Sequence, residues 1–167
     1  MLTRDDVLQT ESWVPADGRG SIHRVLVAFD GSEGAWAALA LGIEVVVANH
    51  ALLTIASVVE EPRFVWQGPG AVAVPYTRET MRREIEREML RHLAAARDEV
   101  PATVCVTTRL LRGRPARVLA KLAEEGRYDL VITGPRRAGW FARLARRGVT
   151  HGLLDRSRTS VLAVRPN

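Results

Sequence analysis

Residues 129–134 read DLVITG, an apolar run of strand length that ends in a glycine. An apolar run without polar alternation is typical of a strand that is covered on both faces, as strands are in a parallel sheet. A second such run, SVLAV over residues 160–164, lies near the end of the chain. The two runs therefore predict the last two strands of a parallel sheet.

The segment that joins these two strands is strongly basic. Seven arginines against one aspartate give residues 134–158 a net charge of +6, whereas the whole chain carries +5 and the remainder therefore about −1. The seven are Arg136, Arg137, Arg143, Arg146, Arg147, Arg156 and Arg158. Such a concentration of positive charge favours an anionic partner (a nucleotide, a nucleic acid or an acidic protein), but it is also typical of the solvated face of a basic helix.

Strand and helix patterns alternate through the preceding sequence. They predict strands over residues 22–29, 51–59 and 103–111 and helices over residues 33–48, 76–100 and 116–125. This alternation predicts an open, Rossmann-like α/β sheet with right-handed crossovers and helices on both faces. Residues 1–20 are polar and aperiodic, so we expect an N-terminal extension there and a single domain over residues 21–167.

Two of these helices are predicted to pack broadly on the sheet. The helix over residues 33–48 is apolar on most sides, which predicts heavy burial, and Ser32 is predicted to be its N-cap. The helix over residues 76–100 carries an apolar stripe at helical spacing, which predicts that this face lies against the sheet. The stripe consists of Met81, Ile85, Met89, Leu93, Ala96 and Val100.

Composition indicates one folded domain. At 167 residues, with 47% hydrophobic and 26% charged residues, the chain is long and apolar enough to bury a core. Its single cysteine, Cys105, has no partner for a disulfide, and its apolar surroundings predict a buried small hydrophobe rather than a nucleophile. No apolar run reaches the ~18 residues of a membrane helix, and the N-terminus lacks a signal-peptide pattern. We therefore expect a cytoplasmic protein without membrane insertion.

Two turns are candidates for a binding site. Ligands of parallel sheets bind at the carboxyl ends of the strands, where the strand order reverses. Asp30-Gly31-Ser32 follows the first strand and Thr133-Gly134 the fourth, so they would flank one crevice if these strands are neighbours. The chain contains neither a Walker loop nor a Gly-x-Gly-x-x-Gly fingerprint after its first strand. Asp30 suits a ribose hydroxyl, a metal ion or a helix cap, and its charge would repel phosphate.

The histidines do not predict a metal or catalytic site. His23, His50, His92 and His151 are scattered, without an i, i+4 pair or a cysteine cluster. No Gly-x-Ser-x-Gly elbow supports a Ser-His-Asp set. We therefore predict no catalytic residue.

Four segments, taken in order, resemble the universal stress protein family. They are Val25–Glu33, Gly113–Ala116, Tyr128–Gly134 and Thr159–Pro166, and the resemblance covers residues 22–166. It implies a five-stranded sheet in the order 3-2-1-4-5. It also implies a homodimer, which here would join through the last strand at Val161–Val164. Many members of the family bind ATP.

The family's ATP motif, Gly-x2-Gly-x9-Gly-Ser/Thr, is only partly matched. Gly134 matches the first glycine, but the second falls on Arg137. Counted without a gap, the third falls on Arg147 and the Ser/Thr on Gly148, whereas a one-residue insertion would make Gly148 the third glycine. Because the glycines let phosphates approach backbone N–H groups, the resemblance implies weakened or lost ATP binding. An arginine at 137 could still hold a different anion.

If nucleotide binding is retained, the ligand would be ATP or another adenine nucleotide, with Mg²⁺. The resemblance then assigns the ribose to Asp30 and the border of the base to Val58. It places the phosphates near Gly134 and near residues 148–150. The complete candidate set is Ala28, Asp30, Val58, Thr133, Gly134, Arg137, Gly148, Val149 and Thr150.

The sequence leaves three functions open. The first is a regulatory stress-response domain that acts by dimerisation and by binding a small anionic ligand or a partner. The second is an ATP-binding universal stress protein with slow ATP hydrolysis, which would make it a weak ATPase at most. The third is a binder of nucleic acid or acidic protein through residues 136–158, which is less favoured because aromatic residues interleave there only at Trp140 and Phe141.

Overall fold

The computed structural model describes residues 21–60, 75–134, 152–153 and 156–165, and of residues 75–78 the backbone alone. The strands are β1 (Arg24–Ala28), β2 (Leu52–Val59), β3 (Val106–Arg112), β4 (Leu130–Thr133) and β5 (Ser160–Ala163). The helices are α1 (Glu33–Asn49), α2 (Pro75–Asp98) and α3 (Pro115–Glu125). Gly152 and Leu153 are also helical.

The five strands form one parallel sheet in the order β3-β2-β1-β4-β5. At its centre, Val27 of β1 pairs with Ile55 of β2 on one side and with Ile132 of β4 on the other. The chain therefore builds outward from β1 to β3 and then crosses back through α3 to β4. The predicted α/β class and strand order are confirmed.

The pleat of β1 divides the core into two layers. Val25 and Val27 face the layer covered by α1 and α2, and Leu26 faces the layer covered by α3. All three side chains are fully shielded from solvent, which is why β1 is apolar without alternation. Burying one such side chain stabilises the fold by ~1.5–3 kcal/mol. The prediction that helices cover both faces is confirmed.

Helix α1 begins at a side-chain cap and lies close to the sheet. Ser32 has extended backbone angles (φ −71°, ψ 160°) and its hydroxyl accepts a hydrogen bond from Ala35 N, so the predicted N-cap is confirmed. A Cβ at Gly42 would lie 2.7 Å from Cγ2 of Val27, so the glycine allows close packing of α1 on β1. Ser32 thus sets the residue at which α1 begins, and Gly42 allows the short distance between α1 and the sheet.

The predicted burial of Cys105 is wrong, because its side chain is exposed. β3 begins at Val106, three residues later than predicted, and Cys105 lies just before it. β3 is an outer strand of the sheet, and its side chains alternate between half-buried and exposed up to Leu110. An outer strand has fewer neighbours than a central one, so its apolar pattern does not guarantee burial.

Both long helices are less buried than their sequences predict. In α1, Val47 is 49% exposed, and in α2, Met81 is 50% exposed although Leu93 and Ala96 are buried. The 24 residues of α2 span ~36 Å, whereas the eight residues of β2 span ~26 Å. The helix is therefore longer than the strand, and because Met81 is exposed while Leu93 and Ala96 are buried, the first turns of α2 are the part that projects beyond the sheet. None of the helices in the described ranges is both long and apolar enough to cross a membrane.

Candidate functional site

The carboxyl ends of β1 and β4 form the edge at which the strand order reverses. Ala28 and Thr133 are the last paired residues of these two strands, and Asp30 and Gly134 follow shortly after them. The chain proceeds from β1 to β2 on one side and from β4 to β5 on the other, which opens a crevice between the two turns. The prediction that the first and fourth strands are neighbours is confirmed.

The turn after β1 is closed by a side chain. Oδ1 of Asp30 accepts a hydrogen bond from Ser32 N at 3.1 Å, and Gly31 between them has a φ of +77°. Ser32 then caps α1, so the turn and the helix start are one hydrogen-bonded unit. The half-buried carboxylate of Asp30 is thereby held at the border of the crevice, where it can accept from a hydroxyl group of a ligand.

The turn after β4 lies directly against the first turn of α1. A Cβ at Gly134 would lie 1.8 Å from the carbonyl oxygen of Gly34 and 2.8 Å from Ala35 N. No side chain fits there, because both neighbours are main-chain atoms that cannot rotate away. Gly134 therefore brings its own backbone next to the amino end of α1, where the helix dipole favours negative charge.

The end of β2 is tied to the same turn. The hydroxyl of Ser57 donates a hydrogen bond to the carbonyl oxygen of Phe29 at 2.6 Å, and Ser57 is fully buried. Phe29 N donates to the carbonyl of Ala56 at 2.8 Å. Val58 follows, half-buried, on the sheet face that α3 covers. These bonds join the ends of β1 and β2, so Val58 and Asp30 lie on one hydrogen-bonded edge of the sheet.

A third turn, between β3 and α3, reaches the same edge. Gly113 has a φ of +127° and its N–H donates to the carbonyl of Val59 at 3.0 Å. Arg114 occupies the N-cap of α3 without a side-chain hydrogen bond, and Pro115 fills the first helical position. Arg112 Nε lies 2.8 Å from Glu86 Oε1 in an ion pair without hydrogen-bond geometry. This contact joins the end of β3 to α2.

The projecting part of α2 is charged. Glu79 accepts hydrogen bonds from Arg82 at 2.6 Å and from Arg83 at 2.8 Å. These bonds, that from Arg82 first, lower the pKa of the Glu79 carboxyl below its ordinary value. Because Glu79 is exposed, water and salt screen the pair, and it contributes little to stability.

The structure brings part of the predicted site together. Ala28, Asp30, Val58, Thr133 and Gly134 all lie at the carboxyl edge of the sheet. Four further candidates lie outside the described residues, namely Arg137, Gly148, Val149 and Thr150.

Two open cavities lie elsewhere on the molecule. One of about 520 Å³ lies between α2 and β3, and another of about 710 Å³ lies at the amino ends of β4 and β5. None of the described residues that line these two cavities is a candidate site residue. Within the described ranges, no three His, Cys, Asp or Glu side chains gather as a metal site requires.

Two neighbours of the site were missed by sequence reasoning. Ser57 is a buried polar residue in an apolar strand, and this interruption is the signal that could have identified it. His92 of α2 lies against Gly31 in the turn after β1. No sequence pattern connects these two residues, so this contact could be found only in the structure.

Comparison with protein families matches residues 21–165 of this chain to the sequence model of the universal stress protein family. Comparison with curated protein sequences found no significant match.

Several solved structures share the fold. A universal stress protein in complex with cAMP is 26% identical with a TM-score of 0.55, and the match covers 88% of this chain and 99% of that chain. A universal stress protein family member from Burkholderia pseudomallei is 23% identical with a TM-score of 0.64, covering 87% and 97%. A family member from Arabidopsis thaliana with AMP bound is 16% identical with a TM-score of 0.58, covering 87% and 92%. At these identities, the last two support the fold alone.

Proposed function

Because this chain belongs to the universal stress protein family, we propose that it is a regulatory domain that binds an adenine nucleotide between the ends of β1 and β4. One observation carries the proposal: Asp30 and Gly134 lie on adjacent turns at the point where the strand order reverses. The proposed role is binding and regulation rather than turnover.

The ribose is the part of the nucleotide that suits Asp30. A carboxylate accepts hydrogen bonds from the donors that a ribose offers, its hydroxyl groups. The Asp30 side chain is already held by its bond to Ser32 N, so little rotamer freedom is lost on binding. The base would then lie toward Val58, at the end of the neighbouring strand.

The phosphate part of the site favours a short phosphate group over a triphosphate. The family motif reads an extended phosphate chain with its glycines, and Arg137 replaces the second of them. A nucleoside monophosphate needs fewer of these backbone contacts, and its charge suits the arginine-rich segment. Related structures carry cAMP and AMP, which supports this ligand class. We expect binding of ATP with Mg²⁺ to be weaker.

A homodimer through β5 is the second part of the proposal. β5 is one of the two outer strands of the described sheet, and Leu162 on it is 38% exposed. An outer strand with an exposed apolar side chain is suited to pairing with a second copy, here through Val161–Val164. Light scattering at micromolar concentration should give the mass of a dimer for the wild-type chain and of a monomer for Leu162→Asp. A wild-type protein with the mass of a monomer would refute the proposed homodimer.

Titration calorimetry with AMP, cAMP and Mg-ATP tests the ligand. Asp30→Asn keeps an oxygen that can accept from Ser32 N but replaces the other with a donor, whereas Asp30→Ala removes both. We expect wild type to bind AMP or cAMP, the Asn variant to bind more weakly and the Ala variant weakest. Asp98→Asn is the control, because Asp98 is an exposed residue at the carboxyl end of α2, and it should bind as wild type does. Equal affinity of all four proteins would refute the proposed site.

The other functions stay predictions from the sequence. Slow ATP hydrolysis is tested by phosphate release from Mg-ATP. Binding of nucleic acid is tested by a gel shift at low salt, with Arg143, Arg146 and Arg147 replaced as the control. A cytoplasmic location is likewise a prediction from the sequence.

A further inference from the structure

Helix α2 places one imidazole directly on the turn that follows β1. A Cβ at Gly31 would lie 2.4 Å from Nδ1 of His92 and 2.7 Å from its Cε1. The ring therefore occupies the space that a side chain at position 31 would need. Since Asp30 precedes Gly31 in this turn, His92 connects α2 to the proposed nucleotide site.

The buried edge of this ring has no polar partner among the residues that the structure describes. Nδ1 of His92 is shielded from solvent and has no hydrogen-bond partner among the described residues. A shielded polar atom without a partner lowers stability, so an apolar side chain of similar size would suit this position better on packing grounds alone. Side chains that break this rule are concentrated at functional sites, and each calls for a physical reason.

The same contact decides which ring nitrogen can meet a ligand. Because Nδ1 is shielded from solvent, Nε2 is the nitrogen through which the ring can contact a bound molecule. In a neutral imidazole, one nitrogen donates and the other accepts. Nε2 lies across the ring from the Nδ1 edge that packs on Gly31. With the proton on Nε2, His92 offers one N–H donor on the side of the ring away from Gly31.

We propose that His92 is a ligand-contacting residue of this site, which donates a hydrogen bond from Nε2 to the bound adenine nucleotide. The proposal rests on the proposed nucleotide-binding function and adds α2 to the site. It explains why a polar ring lies where packing favours an apolar one. It also gives Gly31 a second role, because only glycine leaves room for the ring.

Three substitutions distinguish the contributions that Nε2, Nδ1 and side-chain packing make to nucleotide binding. His92→Gln places an amide nitrogen near the position of Nε2, His92→Asn places its polar atoms near Nδ1, and His92→Leu keeps bulk without either. We expect the Gln variant to bind AMP or cAMP within threefold of wild type. The Asn and Leu variants should bind about three- to tenfold more weakly, the range for one neutral hydrogen bond.

Thermal melting without ligand is the second readout. His92→Leu should melt at or above the wild-type temperature, because it removes a shielded atom without a partner. His23→Gln is the matched control, since His23 is exposed at the other end of β1, and it should bind the nucleotide as wild type does.

Several outcomes would overturn the proposal. One is a Leu variant that binds as tightly as wild type, and another is affinity that Asn restores and Gln does not. A third is a Leu variant whose melting temperature falls by several degrees, which would indicate a packing role. If wild type binds neither nucleotide, the proposed function fails and this proposal with it. If wild type binds and Asp30→Asn weakens binding while every His92 variant binds normally, the His92 proposal alone fails.

Discussion

Replacing Gly134 by alanine tests the contact that holds the two turns of the site together. The added Cβ would lie 1.8 Å from the carbonyl oxygen of Gly34 and 2.1 Å from its carbon. A Cβ cannot occupy that position, so either β4 or the first turn of α1 must shift. Gly34 is buried and α1 is fixed by the Ser32 cap, so neither side can adjust at low cost.

The structure sets the size of the expected effect. Inserting a methyl group into a packed interior costs ~1–3 kcal/mol, and a contact between two main chains belongs at the upper end. For a domain of this size, ~1 kcal/mol lowers the melting temperature by ~2–4 °C. We therefore expect Gly134→Ala to melt about 6–12 °C below wild type.

Thermal unfolding followed by circular dichroism measures this difference, and urea unfolding gives the free energy of unfolding independently. Ala40→Ser is the control, because Ala40 is an exposed residue of α1 and its replacement should change stability by no more than ~0.5 kcal/mol. A Gly134→Ala protein that melts within ~1 °C of wild type would refute the close contact between β4 and α1.

Three further predictions concern single side chains. Ser32→Ala removes the cap of α1 and should cost ~1 kcal/mol in urea unfolding; no change would contradict the cap. Tyr128→Phe removes a buried 2.8 Å hydrogen bond to Thr54 Oγ1 and should cost ~0.5–1.5 kcal/mol in the same assay, whereas a gain in stability would contradict it. The exposed thiol of Cys105 should react with a thiol reagent in the folded protein as completely as after denaturation. Reaction only after denaturation would mean that it is buried.

The central strands could be predicted because a strand that is buried on both faces has an uninterrupted apolar sequence. Val25, Leu26 and Val27 in β1 are all fully shielded, and such a strand must be apolar throughout. The strand order required the resemblance to a family as well, because parallel strands in the sequence can be arranged in more than one way. Ser32 could be predicted as a cap because a short polar side chain before a helix has few alternative roles.

The apolar pattern of the sequence did not predict correctly which side chains are buried in the outer strand and in the projecting turns of α2. Cys105 lies in an apolar run, yet the run belongs to an outer strand whose side chains are alternately exposed. Met81 belongs to an apolar stripe, yet it lies on turns of α2 that project beyond the sheet. In both cases the apolar pattern shows the period of the strand or helix. It does not show how far the neighbouring strands and helices extend to cover it.

The sequence predicts which strand ends carry the candidate site, but it does not predict which residues contact one another there. Asp30 and Gly134 follow apolar runs and could be identified, since ligands of parallel sheets bind at such ends. The contact of Gly134 with Gly34 and that of His92 with Gly31 join segments far apart in the sequence. A glycine in the sequence indicates that a side chain is missing there, but it does not name the group that takes the space.

Binding of AMP and cAMP to wild type and Asp30→Asn, measured by calorimetry at equal protein concentration, tests the proposed site most directly. The proposal predicts saturable binding by wild type, and weaker binding by the variant, which keeps an oxygen that can accept from Ser32 N. Binding that is unchanged in Asp30→Asn, or absent from wild type, would contradict it.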